Sequence, residues 1–327
     1  MRAVVMSEFG PPEVLRLEEV EKPEPGAGEV LVKVEIAGVN YADTGMRRGM
    51  FHGPARDGLP VTPGFEVAGT VEAVGAGVDT SLEGARVVSV LSGGGYAEYA
   101  VASAEAVVRV PEGVGSVSAT AALLVQGITA YGILHDSARI GEGESLLVQA
   151  AGGGVGTLAL QLAKLAGAGT VIGTAGSDEK RELALSLGAD HAVDYTESGW
   201  VGEVLEATGG RGVDVVLESV GGDIGRQAYE ALALLGRFVV FGSSSGGPSE
   251  APDMWQLNLK GQTISGYGGP WLRPGAAQRA RRELSGYLEG RRLRVVEGPS
   301  FPLAGAAEAH RAIEERRSVG KVSLYVG

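Results

Sequence analysis

The chain has no cysteine among its 327 residues. Disulfides, thiolate nucleophiles and every cysteine-ligated metal site are therefore excluded. Histidine is nearly as scarce: His52, His135, His191 and His310 are the full set, and no two stand at a metal-ligand spacing. Lysine is rare too, with 6 residues against 22 arginines, a bias that suits a heat-tolerant source or a GC-rich genome and decides neither. Basic charge is short overall, and the formal net charge is −12. Basic residues cluster no further than pairs such as Arg281-Arg282, Arg291-Arg292 and Arg316-Arg317, which argues against general binding of nucleic acid. A long apolar run is also missing. The best candidate, Ala119 to Leu134, is interrupted by Gln126, Gly127 and Thr129 and reads as too short and too polar to cross a bilayer. The opening MRAVVMSEFG lacks the apolar core of a signal peptide. A cytoplasmic protein without a membrane partner is expected.

What the chain does have is glycine, 54 residues of it, spread among apolar residues rather than gathered in a tract. Many tight turns and close backbone approaches follow. The length calls for two domains. Residues 1–120 read as β-rich: RAVVM, EVLVKVEIAGV, EVAGTVEAVG, ARVVSVL and YAEYAVAS alternate apolar and polar positions between turn signals. Over 121–260 the period changes. SLLVQ, TVIGTA, HAVDY, GVDVVLESV and GRFVVFGS read as strands, with TLALQLAKLAG, DEKRELALSLGA, EVLEAT and GRQAYEALALL as helices between them. Alternating strands and helices imply a doubly wound parallel sheet. Residues 261–327 mix both types, and the pattern suggests a tail that returns to cover the β-rich domain.

One stretch carries chemistry. Ala150, Gly153 and Gly156 form A-x-x-G-x-x-G directly after a strand and at the start of a helix. The unit from Ser145 to Thr174 spans 30 residues. That is the setting of the dinucleotide fingerprint, in which small residues admit a pyrophosphate to the amides of a helix start. An NAD site places an acid near the end of the second strand, on the ribose 2′-hydroxyl. Here that position reads Gly173-Thr174-Ala175-Gly176-Ser177, with no carboxylate. Lys180 offers a charge and Ser177 a hydroxyl to a 2′-phosphate, which favours NADPH. Against this, Ser177 also fits a plain helix N-cap and Lys180 a solvated surface lysine, while Asp178 and Glu179 weaken the local positive field.

Five segments together carry a family resemblance: GVNYADTGMRRG (38–49), PGFEVAGTVEAVG (63–75), GITAYGIL (127–134), AAGGGVG (150–156) and GTAGSDEK (173–180). Over its full length the chain resembles the medium-chain dehydrogenase/reductases, in particular their zinc-free quinone oxidoreductase (zeta-crystallin-like) branch. The resemblance implies an α/β protein with a GroES-like catalytic domain and a Rossmann nucleotide-binding domain. Zinc members carry a ligand histidine in G-H-E; here it is Gly64-Phe65-Glu66, and Asn40 matches a ligand cysteine. No metal is therefore expected. The resemblance further implies that Asn40, Thr129, Gly153, Val155, Gly156, Gly176, Ser177, Lys180, Tyr195, Ser219, Phe241, Gly242 and Ser243 contact NADPH. Arg316 or Lys321 would reach its 2′-phosphate. Tyr41, Phe51, Tyr267 and Trp271 are candidate walls of the substrate pocket, with core packing as the alternative for each. Asp43 and Glu66 suit structural hydrogen bonding better than catalysis, and no catalytic acid–base pair emerges. Hydride delivery to a quinone needs no Lewis acid, because the acceptor is already electrophilic. The open alternatives are reduction of an activated C=C in an enal or enone, and a low-turnover NADPH-binding protein. A homodimer or higher homo-oligomer is implied, with the strand in TISGYGG as an edge for a second copy.

Overall fold

The computed structural model describes residues 1–50, 58–247 and 252–327. In chain order the strands are β1 (Arg2–Met6), β2 (Leu15–Glu19), β3 (Glu29–Val39), β4 (Glu66–Val74), β5 (Arg86–Val90), β6 (Tyr99–Ser103), β7 (Val107–Arg109), β8 (Leu146–Val148), β9 (Val171–Thr174), β10 (His191–Val193), β11 (Val213–Glu218), β12 (Leu232–Val240), β13 (Thr263–Gly266), β14 (Glu297–Pro302) and β15 (Lys321–Tyr325). The helices are α1 (Tyr41–Arg47), α2 (Ser116–Leu123), α3 (Val125–Gly132), α4 (Gly154–Leu165), α5 (Asp178–Ser186), α6 (Trp200–Ala207), α7 (Gly222–Glu230), α8 (Met254–Lys260), α9 (Ala276–Glu289) and α10 (Ala306–Glu314). Two compact units emerge: Met1–Gln126 with Leu284–Gly327, and Gly127–Glu283. The seams fall later than residues 120 and 260. Helix α2 packs on β3, β4 and β5, which carries the first unit on to Gln126, and β13 pairs with β12, which carries the second past 260.

In the first unit the sheet order is β14-β15-β3-β4-β5-β7, with β6 also paired to β3, while β1 and β2 form a separate ribbon. Alternation sets the inner face: Val30, Val32 and Val34 of β3 meet Val67 and Val71 of β4, Val87 of β5 and Tyr96 in one core. The last strand closes this sheet. β15 runs antiparallel to β3 with Val322 opposite Val39 and Ser323 opposite Gly38.

The second unit is built on six parallel strands in the order β10-β9-β8-β11-β12-β13. That is the doubly wound order with its switch point beside β8, where ligands bind at the carboxyl ends of the strands. Leu147, Ile172, Val216 and Phe238 fill the core of this sheet together with Trp200 and Val204 of α6.

Two expectations are corrected. The segment GRQAYEALALL is not one helix: α7 ends at Glu230 and β12 begins at Leu232. Its leucines enter the sheet because Leu232 pairs with Val213, whereas Leu234 and Leu235 turn outward and are 71% and 75% exposed. Sheet pairing here overrides a strong helix-forming composition. The apolar segment around Ala119–Leu134 is also longer than expected. The helical run Ser116–Ala138 has 23 residues and by length and composition alone could cross a membrane; 72% of its apolar window is buried inside the protein, and a core helix meets the same test.

Candidate functional site

In the second unit, β8 delivers the chain into the glycine loop. Ala150 takes a left-handed conformation at φ +50°, and Gly153 caps α4 after donating its N–H to the Ala150 carbonyl at 2.9 Å. A Cβ on Gly156 would lie 2.4 Å from that same carbonyl oxygen and 2.8 Å from the Ala151 Cα. Only glycine lets the first turn of α4 come this close to the loop. Val155 sits in the same turn, which carries no acidic residue and no side-chain cap. The helix start thus keeps its amides for an anion.

The ribose side is built from β9, β10 and α5. Lys180 folds over the loop, since a Cβ on Gly152 would meet its Cγ at 2.7 Å. Ser177 holds the N-cap position of α5 with extended φ and ψ, yet its side chain makes no cap hydrogen bond. The plain N-cap role is therefore not realised. Arg181 pairs with both Asp178 and Asp194, so the Asp178 charge is matched. Gly176 lies against Tyr195 and Thr196, its Cβ position being 3.5 Å from the Tyr195 hydroxyl. Tyr195 packs on the core from one side and walls a groove of about 480 Å³ with Thr196, Trp200, Ile224 and Gln227.

The third wall is a shelf at the ends of β11 and β12. Phe241, Ser244 and Ser245 donate backbone N–H groups to the carbonyls of Glu218, Ser219 and Val220 at 2.9, 2.9 and 2.7 Å. The buried Glu218 carboxylate accepts from the N–H groups of Val220 and Gly221 at 2.6 and 2.7 Å. Ser219, Phe241, Gly242 and Ser243 are fixed on this shelf, with Ser243 Oγ donating to the Gly247 carbonyl at 2.5 Å. Thr129 is half-buried on α3. Tyr267 is tied to the same helix: its ring fills the space a Gly132 side chain would need, and its hydroxyl donates to the Ile128 carbonyl at 3.4 Å. Burial, with the Asp136 charge adding to it, pushes the Tyr267 hydroxyl up to about 12.

The first unit holds Asn40, Tyr41 and Arg316. Tyr41 is half-buried at the start of α1, and Arg316 is exposed after α10 in a left-handed conformation at φ +58°. Phe51 and the side chain of Trp271 lie outside the described residues. Lys321 is not available to a phosphate. It is 1% exposed and its ammonium is bonded to Glu66 Oε1 and, at 3.1 Å, to Asn40 Oδ1. Glu66 also accepts from Asn40 Nδ2 at 2.8 Å and from the Val125 N–H at 3.0 Å. Its carboxylate fits only because residue 38 is glycine; a Cβ there would lie 2.3 Å from Oε1.

A second buried chain adjoins this one. Asp43 Oδ2 accepts from the Asn40 N–H at 2.6 Å, Oδ1 has no partner, and Tyr96 shares a 3.1 Å hydrogen bond with His310 Nε2. Arg47, 1% exposed, is paired with Glu314. Burial pushes the Asp43 carboxyl up to about 7, helped by the Glu66 charge. Burial holds His310 down to about 3, helped by Arg47 and Arg48. Asp43 and Glu66 therefore stand as structural hydrogen-bonding groups. Sequence reasoning missed Lys321 as the partner of Glu66, as well as Tyr96, His310, and Gln126, whose buried Oε1 has no partner. The available signal was a charged residue set inside each of two apolar strands, EVAGTV and KVSLYV, since two such charges must find each other.

These residues do not fit a zinc ion. A phenyl ring at 65 offers no donor, the Asn40 oxygen already accepts from an ammonium, and that fixed positive charge would repel a dication. No group of three histidine, aspartate or glutamate side chains suited to a metal occurs among the described residues. The nucleotide residues do fit a dinucleotide: a close-packed glycine turn, an open helix start, and a lysine over the loop.

Comparison with known proteins is consistent with this geometry. Residues 26–112 match the family model for the alcohol dehydrogenase GroES-like domain, and 154–274 match that for the zinc-binding dehydrogenases. The chain is 35% identical to a quinone oxidoreductase of Pseudomonas aeruginosa, covering 99% of each protein. It is 32% identical to a 2-haloacrylate reductase of a Burkholderia species over 98% of each. The crystal structure of Escherichia coli quinone oxidoreductase complexed with NADPH superposes with a TM-score of 0.91 at 31% identity, over 99% of this chain and 100% of that one.

The buried acid and histidine predict a pH signature. Between pH 3.8 and about 7 the unfolded chain releases an Asp43 proton that the folded chain keeps, so this group lowers stability as pH rises. Between pH 6.5 and about 3 the unfolded chain takes up a His310 proton that the folded chain refuses, so this group lowers stability as pH falls. The two slopes oppose each other where the windows overlap, from about pH 4 to 6.5. Asp43→Asn removes only the first. Its stability, relative to wild type, should fall on acidification across that overlap by up to about 1.4 kcal/mol per pH unit. Urea unfolding at several pH values measures this, and parallel profiles for the two proteins would contradict it.

Proposed function

The chain belongs to the quinone oxidoreductase family of medium-chain dehydrogenase/reductases, and from that premise we propose that it is an NADPH:quinone oxidoreductase that works without zinc. The observation that carries the cofactor choice is the position of Lys180, folded over the glycine loop at an edge with no ribose-binding carboxylate. When bound, NADPH supplies a hydride, and with one proton from solvent a quinone becomes a hydroquinone. The chain's part is orientation. The α4 amides take the pyrophosphate, Lys180 and Ser177 the 2′-phosphate, and Tyr195 stacks near the adenine. Ser219, Phe241, Gly242 and Ser243 form the shelf under the nicotinamide half, with Asn40 and Thr129 at its reactive end and Arg316 as a further phosphate ligand. Tyr41, Phe51, Tyr267 and Trp271 are the proposed neighbours of the acceptor. A polarised C=C is the second acceptor class, favoured by the relationship to a 2-haloacrylate reductase.

Protein dialysed against a chelator should consume NADPH with p-benzoquinone at an undiminished rate. Loss of turnover on chelation would remove the zinc-free reading. Binding of NADPH without turnover of p-benzoquinone would shift the assignment to the enone class. Lys180→Met keeps the stem over Gly152 and removes the charge. It should weaken NADPH by roughly 10- to 100-fold, the size of a charge-assisted hydrogen bond, and leave NADH nearly unchanged. Fluorescence titration with both nucleotides reads this directly, and equal losses would contradict the 2′-phosphate role.

We also propose a homodimer through the second unit. Strand β13 is an exposed sheet edge, with Ile264 38% exposed, and Leu235, Met254, Trp255 and Leu259 are each at least 65% exposed. An apolar edge of this kind needs a cover. Light scattering should give twice the 33.4 kDa chain mass, and a monomer at micromolar concentration would rule the pairing out.

A further inference from the structure

We infer that the buried Glu66–Lys321 pair is a positioning device that fixes which way the Asn40 amide faces. The inference rests on the proposal that Asn40 meets the reactive end of the cofactor. A side-chain amide is nearly symmetric in shape, so its oxygen and nitrogen can trade places by a half-turn unless its partners forbid it. Here both partners are one-way groups. Lysine can only donate, and it lies at 3.1 Å from Asn40 Oδ1. An ionised carboxylate can only accept, and Glu66 Oε1 lies at 2.8 Å from Asn40 Nδ2. Turning the amide over would set an N–H against an ammonium and an oxygen against a carboxylate. The ammonium and the carboxylate thus impose the orientation by charge, together with the Asp43 backbone N–H that faces the Asn40 side chain in the capping box of α1.

The three residues differ in access. Glu66 is 0% and Lys321 1% exposed, whereas Asn40 keeps 5%. Neither charge is open to a ligand, and of the three residues Asn40 keeps the most exposure. Glu66 takes one of its two N–H bonds and leaves the second to give. The ammonium on the oxygen draws electrons from the amide and strengthens that donor. The pair therefore presents Asn40 as a hydrogen-bond donor of fixed direction. The backbone on either side is held as well, by the 2.6 Å bond from the Asn40 N–H to Asp43 and by the pairing of Val39 with Val322.

A double-mutant cycle separates positioning from simple support of the fold. Lys321→Met alone would leave the Glu66 charge buried and unpaired, so the cycle uses E66Q/K321M, which removes both charges at once. Wild type, N40A, E66Q/K321M and the triple variant are compared by kcat and KM for p-benzoquinone, with NADPH affinity and Tm measured on each. Both N40A and E66Q/K321M should lower kcat by about tenfold. The triple variant should be no worse than N40A within about twofold, because the pair then has nothing left to orient. Losses that multiply in the triple variant would overturn the inference, since the pair would then act without Asn40. An N40A protein with unchanged kcat and unchanged NADPH affinity would overturn it too, while wild-type turnover would still support the quinone reading. If the wild type binds NADPH but reduces no quinone, that reading fails, and the same cycle is scored on the NADPH dissociation constant. Should E66Q/K321M not fold, E66Q/K321Q takes its place. It also removes both charges and sets amides that can face either way at the two positions, and its loss should likewise vanish in the N40A background.

Discussion

Two full charges buried inside a β-sheet cannot remain apart. Glu66 heads an apolar strand and Lys321 begins another, 255 residues later in the chain, and each would be prohibitively costly without the other. Their pairing ties β15 to β4 across β3. The carboxylate then gathers Asn40 at the start of α1 and the Val125 N–H at the start of α3. Gly38 is fixed by the same demand, because any side chain there would occupy the space of the carboxylate oxygen. Removing one partner of such a pair typically costs about 3–5 kcal/mol, much of a domain's net stability. The geometry of the first unit's polar cluster follows from meeting this one electrostatic requirement.

The second unit obeys a steric constraint instead. Gly156 and Gly153 pack against the Ala150 carbonyl, so the strand-to-helix turn closes tightly enough to aim amides outward. Around it the polar groups are sorted by partner. Arg181 is drawn to Asp178 and Asp194, Glu218 to the backbone of its own loop, and Lys180 to the surface over Gly152. Within the adjacent residues DEKR, Asp178 and Arg181 thus form a structural ion pair while the Lys180 stem lies over the loop.

Much of this was legible in the sequence, for identifiable reasons. A strand whose two faces differ, such as EVLVKVEIAGV with Lys33 and Glu35 exposed beside buried Val32 and Val34, announces itself by alternation and ends where the structure ends it. The glycine loop is legible because its steric rule acts within a few residues. Helix ALALL was misread because its fate depends on pairing with β11, a contact no local pattern encodes. Lys321 was misplaced for a similar reason. β15 is buried at four of its five residues, so alternation could not show that its lysine points inward to Glu66. Asp43 sits in a motif that suits a structural role and His310 in none, and the altered proton affinities of both come from tertiary burial and the charges it brings near.

The closing strand β15 has a consequence for how the molecule is made. The second unit is one continuous segment, Gly127–Glu283, whereas the first is split between the two ends of the chain. A ribosome releases the ends in order, so the nucleotide-binding unit is complete before the lysine that neutralises Glu66 has been synthesised. Until β15 emerges, the β-rich unit carries an unpaired buried acid and an open edge on β3. Its completion waits for that strand, whose arrival turns the β-rich half into a finished domain.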